Sequence, residues 1–292
     1  MLRSMYAGIS GMKNFQTKLD VIGNNIANVN TSGFKKGRVT FQDMMSQMTS
    51  GAQGATATRG GVNPAQVGLG SQLGSIDNIH TQGFRQTTNN PLDFALEGDG
   101  MFIVASGGLT GDTFNMDNAN LSYTRAGNFY LDENGYIVNP QGLYLVGAGA
   151  DADGTIPTDG TTNTPSTYVR LQIPEDAQSF SVQSNGIVNY VDQTGETHVA
   201  GQIALANFSN PAGLQKAGSN LFLASENSGE AVRVLPETGG TGSIVSGALE
   251  MSNVDLSEEF TEMITAQRGF QANTRIITTS DEILQELVNL KR

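Results

Sequence analysis

Catalysis at neutral pH needs a base, a nucleophile or a metal, so the histidines come first. There are two, His80 and His198. His80 follows Asp77-Asn78-Ile79 and His198 lies in a β-like run, and neither has a partner motif. No Gly-x-Ser-x-Gly elbow and no His-Glu-x-x-His pair occurs, so the usual nucleophile and zinc geometries are missing. Cysteine is absent, which removes thiolate metal sites and disulfide scaffolds. Without a Gly-Lys dipeptide there is no Walker-type phosphate loop. Gly68-Leu69-Gly70-Ser71-Gln72-Leu73-Gly74 misses the dinucleotide fingerprint by one residue and lacks its strand–helix setting. Asp151-Ala152-Asp153-Gly154 has the look of a calcium loop, but position twelve would be Gly160, where a bidentate Glu is required. The carboxylate pair Glu258/Glu259 reads as the start of a helix rather than an acid–base dyad. The expectation is a non-enzymatic chain with no cofactor and no metal.

Composition narrows the partners. The 292 residues carry 16 Lys plus Arg against 28 Asp plus Glu, a net charge of −12. Nucleic-acid affinity rests on basic groups, so no nucleic acid is expected. No run of 18 apolar residues exists, so no membrane-spanning helix is expected. Arg3 is not followed by an apolar core and small-residue cleavage site, so a cleaved secretory signal is not expected. Residues 1–50 hold six basic and two acidic groups (+4), and the remainder holds −16. That asymmetry reads either as solvated faces or as a basic segment meeting an acidic one, in the same chain or a neighbouring copy.

All eight prolines fall between Pro64 and Pro236, leaving both ends free of the strongest helix breaker. Leu2, Met5, Ile9, Met12, Leu19 and Ile26 keep a 3–4 spacing, which predicts an amphipathic helix over about 3–28. It should stop near Asn30-Thr31-Ser32-Gly33, with Gly33 in the left-handed cap conformation. Gly8, Gly11 and Gly23 each cost about 1 kcal/mol relative to Ala in a helix interior, and they also let other helices come close. Phe260, Met263, Phe270, Ile277, Leu284 and Val288 repeat the spacing at the other end, and Ile264 widens the stripe. They predict a helix over 256–290, capped by Ser257 with Glu258 and Glu259.

Between the helices the pattern is β. The segment 31–90 is low in charge; 49–75 reads as extended or loop-like, and the Met44–Met48 cluster as a short helix or an adaptable apolar contact. From Pro91 short strands recur, with turns at Asp132-Glu133-Asn134-Gly135 and Asn185-Gly186, as in an antiparallel sandwich or barrel. Residues 147–167 hold few large apolar side chains and read as an exposed loop. The fold class is therefore α+β: long N- and C-terminal helices pairing as a coiled coil, with a mainly antiparallel β domain between. The expected division is 1–33 helix, 34–90 connecting segment, 91–250 β domain and 251–292 helix.

Two terminal motifs resemble a known family. Asn24-Asn25-Ile26-Ala27-Asn28-Val29-Asn30-Thr31-Ser32-Gly33-Phe34-Lys35 is similar to the N-terminal signature of bacterial flagellar rod and hook proteins. Ser252-Asn253-Val254-Asp255-Leu256-Ser257-Glu258-Glu259-Phe260 and Met263–Asn273 resemble the matching C-terminal signature. Leu96–Phe102 and Tyr123–Asp132 resemble the shared β body. The ending Ile276–Leu290 is most similar to that of hook proteins, although the additional outer β domain of longer hook proteins is replaced by a loop near 147. The resemblance implies a self-assembling tube with helices inside and β domains outside. As a hook subunit the chain would form a curved torque-transmitting joint; the alternative is the distal rod, a straight stiff tube. A secreted β-rich binding or hydrolytic domain is the reading from another class. The implied partners are further copies of the chain, rod, hook-cap and hook–filament junction proteins, and the flagellar type III export apparatus. The implied location is the extracellular flagellum.

Overall fold

The computed structural model describes residues 2–111, 113–116, 118–150, 155–158, 164–165 and 167–290. The chain divides into two compact units: residues 1–28, 36–79 and 254–292 form one, residues 29–35 and 80–253 the other.

In the first unit, α1 spans Leu2–Ala27 and α2 spans Leu256–Leu290. Both fall close to the spacing-based expectation, because nothing in either stretch interrupts the backbone ladder. The cap of α2 differs from the reading above. Asp255 Oδ1 accepts from the Ser257 N–H at 2.8 Å, so the capping oxygen comes from Asp255, one residue before the helix, and Ser257 lies inside. Neither helix is long and apolar enough to cross a membrane.

The same unit contains an antiparallel ribbon. Gly37–Asp43 pairs with Ser71–Asn78, with Val39 opposite Ile76 and a register shift after Thr40. Ser46–Ser50 pairs with Ala65–Gly68, and bridges Gln53↔Val62 and Thr56↔Arg59 carry the pairing toward the tip. The segment 49–75, read as extended or loop-like, is thus largely a hairpin arm, and the Met44–Met48 cluster enters a strand instead of a helix. Its residues from 45 to 68 are exposed on both faces. A strand with no buried face has no reason to alternate polar and apolar residues, and so the usual signal is missing.

Among the described residues of the second unit the regular elements are strands and one 3-10 turn at Pro211–Gly213. Fifteen strands join in one sheet network. Its centre is the strand Met101–Ser106, which pairs with Asn120–Thr124, Tyr144–Gly149 and Leu205–Asn207, each antiparallel. Alternate residues of this strand enter different cores. Phe102 and Val104 join Phe94, Leu96, Phe129, Leu145 and Ile203; Met101, Ile103 and Ala105 join Tyr123, Val146, Phe208 and Phe222. Burial on both faces explains why the strand reads as a continuous apolar run. The hairpin expected at Asp132–Gly135 is present, with Tyr130–Leu131 against Ile137–Val138 and Gly135 at φ 77°.

The expected loop 147–167 begins later than its composition indicated. Gly147, Ala148 and Gly149 continue a strand paired on both sides. A Cβ at Gly147 would stand 2.6 Å from Leu171 Cγ, so the small residue reflects close packing, not a loop. Residues 151–154, 159–163 and 166 lie outside the described residues, and the calcium-like Asp151–Gly154 and Gly160 positions are among them.

Candidate functional site

In the first unit α1 and α2 pack antiparallel along a line of small and polar side chains. A Cβ at Gly8 would meet Ile277 Cγ1 at 3.4 Å, one at Gly11 would meet the Asn273 amide at 3.0 Å, and one at Gly269 would meet the Phe15 ring at 2.5 Å. Farther along, Lys18 pairs with Glu262 at 3.1 Å and Asn25 Nδ2 donates to Glu259 Oε2 at 3.1 Å. The residues facing the partner helix are therefore Gly8, Gly11, Phe15, Lys18 and Asn25 on α1. Of the seam read from the sequence, the structure brings Ile277 into this line. Met5, Met12, Leu19, Ile26, Met263, Phe270 and Leu284 are half-buried. Ile9, Phe260, Ile264 and Val288 remain exposed, Val288 at 67%. The side chain of Leu2 lies outside those described. The glycines select this geometry, because the two helices approach closest where there is least side chain.

One end of the helix pair is tied by polar groups. Asn25 is 2% exposed. Its Nδ2 donates to Gly37 O at 2.9 Å and its Oδ1 accepts from Gly37 N–H at 3.0 Å, so the amide pairs with the ribbon as a neighbouring strand would. The same Nδ2 reaches Glu259, itself 4% exposed. Burial pushes the Glu259 carboxyl above its ordinary value, against the pull of the Asn25 hydrogen bond and Lys36. Around it lie the ion pairs Lys18–Glu262 and Lys36–Glu258 (2.8 Å). The basic N-terminal segment thus finds acidic partners in its own chain. Gly23 has no atom within 4 Å of an added Cβ.

The rest of the N-terminal signature is held in the second unit. Gly33, at φ 69°, donates its N–H to Glu250 O at 2.8 Å, and a Cβ there would stand 2.6 Å from Ala126 N. Ser32 O accepts from Asn220 Nδ2 at 3.1 Å, and the Lys216 ammonium stands 4.9 Å over the Phe34 ring. Lys35, 2% exposed, donates to Glu250 Oε1 at 2.7 Å and to Thr81 O at 2.8 Å. Arg125 Nε donates to Glu250 Oε2 at 2.5 Å, and its terminal nitrogens reach the carbonyls of Leu96, Gly98 and Gly100. One carboxylate is shared between two buried cations. Burial alone would raise Glu250, but Arg125 and Lys35 outweigh it and hold the carboxyl below its usual range. Lys35 is lowered by burial and by the repulsion of Arg125, with Glu250 opposing.

Sequence reasoning missed this triad and the Asn25–Glu259 contact. Each joins residues more than 100 positions apart, and only Asn25 had a visible signal, a polar residue on an apolar helix face. Of the histidines, His80 packs on Phe222 with its Nε2 buried and unpartnered among the described atoms; burial and the nearby Lys35, Lys216 and Arg125 lower it to about 4. His198 is exposed near the start of its strand, its ring tilted 34° to that of Tyr190 with centroids 5.6 Å apart. Among the described residues no cluster of His, Asp and Glu is arranged to hold a metal.

Asn24 and Asn28 close the end of α1, with Asn28 Nδ2 donating to Asn24 Oδ1 at 2.8 Å; Ala27 and Asn30 are exposed beside them. Comparison with known proteins places these features. The family model "Flagella basal body rod protein" matches residues 5–35, "Flagellar hook protein FlgE/F/G D1 domain" matches 95–190, and "Flagellar basal body rod FlgEFG protein C-terminal" matches 245–290. The flagellar basal-body rod protein FlgG of Bacillus subtilis is 55% identical over 293 aligned positions, all of both chains. The chain belongs to the flagellar rod and hook family. Other relatives bracket it within that family. FlgG of Borreliella burgdorferi is 35% identical over 295 positions; the flagellar hook protein FlgE of the same organism is 33% identical, but its alignment runs to 454 positions. Both cover all of each chain. As a family member the protein is a non-enzymatic, self-polymerising structural subunit of the flagellar axis. The comparisons favour the rod alternative over the hook reading.

Proposed function

We propose that the chain is the subunit of the distal rod, the straight stiff tube of the flagellar basal body. One observation carries this reading: a rod protein aligns with it end to end at 55% identity, at matching length. The hook relative needs over half as many positions again. The ribbon arm over residues 45–68 supports the same choice, since a long arm with no buried face gives each subunit extra surface for fixed contacts with its neighbours, which stiffness requires.

In this reading the apolar residues left open on α1 and α2 close against helices of neighbouring copies as coiled-coil contacts. Leu2, Met5, Ile9, Met12, Leu19 and Ile26 supply one seam; Phe260, Met263, Ile264, Phe270, Ile277, Leu284 and Val288 supply the other. Export through the type III apparatus, assembly outside the cell membrane, and end contacts with other rod and hook proteins complete the proposal. Electron microscopy of polymers grown from the pure chain tests it. Straight tubes are the expected result; curved, supercoiling tubes would return the chain to the hook.

A further inference from the structure

Charge and apolar surface are divided between the two units. The helical unit has ten basic and ten acidic residues, a net charge of zero. The β unit has six basic and eighteen acidic residues, so the whole net charge of −12 belongs to it. Apolar exposure runs the other way. Of 22 exposed large apolar side chains among the described residues, 17 lie in the helical unit, although it is the smaller of the two.

Those two distributions oppose each other when copies meet. The neutral unit gains by covering Tyr6, Met45, Ile264 and Val288, since burial of apolar surface is favourable and indifferent to dilute salt. The acidic unit resists crowding. Glu133, Glu175, Glu196, Glu226 and Glu230 are exposed and have no ion-pair partner among the described residues. Their repulsion reaches about 30 Å at 0.01 M salt but only about 8 Å at 0.15 M.

We propose that self-association of this chain is gated by ionic strength: the uncharged helical unit draws copies together, and the acidic β unit holds them apart until salt screens it. The proposal rests on the self-polymerising reading. It assigns the β unit a second role, that of keeping solitary chains from associating through their open apolar faces.

The experiment is seeded elongation of the full chain, followed by light scattering, from 10 to 150 mM NaCl. The expected result is at least a tenfold rise in rate. A variant with all five of those glutamates changed to Gln should elongate at 10 mM nearly as fast as wild type does at 150 mM. A variant with only Glu226→Gln and Glu230→Gln should fall between. A rate independent of salt, or an unaltered salt dependence in the five-residue variant, overturns the gate while leaving polymerisation standing. Inertness of wild type and both variants at every salt concentration overturns the polymerising reading and the gate with it.

Discussion

At the scale of single residues, each unit contains a buried carboxylate, Glu259 in the helical unit and Glu250 in the β unit, and the two lie in opposite electrostatic regimes. Glu250 sits between two cations, so removing its charge leaves Lys35 and Arg125 buried against each other. Breaking a buried ion pair from one side costs about 3–5 kcal/mol, and Glu250→Gln should lower the stability of the β unit by about that amount in urea denaturation followed by circular dichroism. Lys35→Met should cost less, because Arg125 still satisfies the carboxylate; equal losses would show that the triad is not shared as described. Glu259 behaves differently. Burial raises its carboxyl, and an acid that is raised in the fold holds its proton more tightly there than in the unfolded chain. Its contribution is complete below the ordinary carboxylate range and is lost as pH rises through the raised value. Glu259→Gln keeps an acceptor for Asn25 and cannot ionise, so its stability relative to wild type should grow between pH 4.5 and pH 8. Melts of both proteins across that range, read at 222 nm, measure it, and a constant difference would mean that Glu259 ionises in the fold as it does in water.

At the scale of elements, the helix pair is set by glycine. Gly269→Ala places a methyl group 2.5 Å from the Phe15 ring; overpacking of this kind costs about 1–3 kcal/mol and more than offsets the gain of about 1 kcal/mol in helix propensity. Gly23→Ala meets nothing in the chain and should strengthen α1 by about 1 kcal/mol. Thermal melts of the two variants should move in opposite directions, and a stabilised Gly269→Ala would show that the helices do not touch there. The same contrast explains what could be read in advance. Both helices were legible because their apolar spacing and lack of proline are local properties. The strand Met101–Ser106 was legible because burial on both faces leaves a solid apolar run. The facing line of α1 was legible only in part: Gly8 and Gly11 were read as places where helices come close, but they carry no apolar side chain, and the larger Met5, Ile9 and Met12 drew the seam one position aside. The outer arm of the ribbon, residues 45–68, was hidden for the converse reason: with neither face buried, its strands have no pattern. Glu259 had a sufficient local explanation as a helix-start acid, and only its distant partner Asn25 reveals why it is buried.

At the scale of the whole molecule, a subunit that must travel alone and then polymerise has to keep part of its surface unfinished. α2 outruns its partner. Beyond Ile277, which packs at Gly8, lie Ile283, Leu287, Val288 and Leu290, exposed at 43–83%. A helix end with no neighbour opens at little cost, whereas residues central to a packed sheet open only with the whole domain. Chymotrypsin should therefore cut the solitary chain first after Leu287 and Leu290, which are 49% and 83% exposed in this overhang, and spare Phe102 and Leu145 in the β unit, which are fully buried. In the polymer, neighbouring helices cover the same sites and cleavage after Leu287 and Leu290 should slow by at least tenfold. Mass spectrometry of the fragments from both states decides it. If the solitary chain protects its C-terminal helix as well as the polymer does, the open apolar face is already satisfied within one molecule, and self-assembly must draw its stabilisation from some other surface.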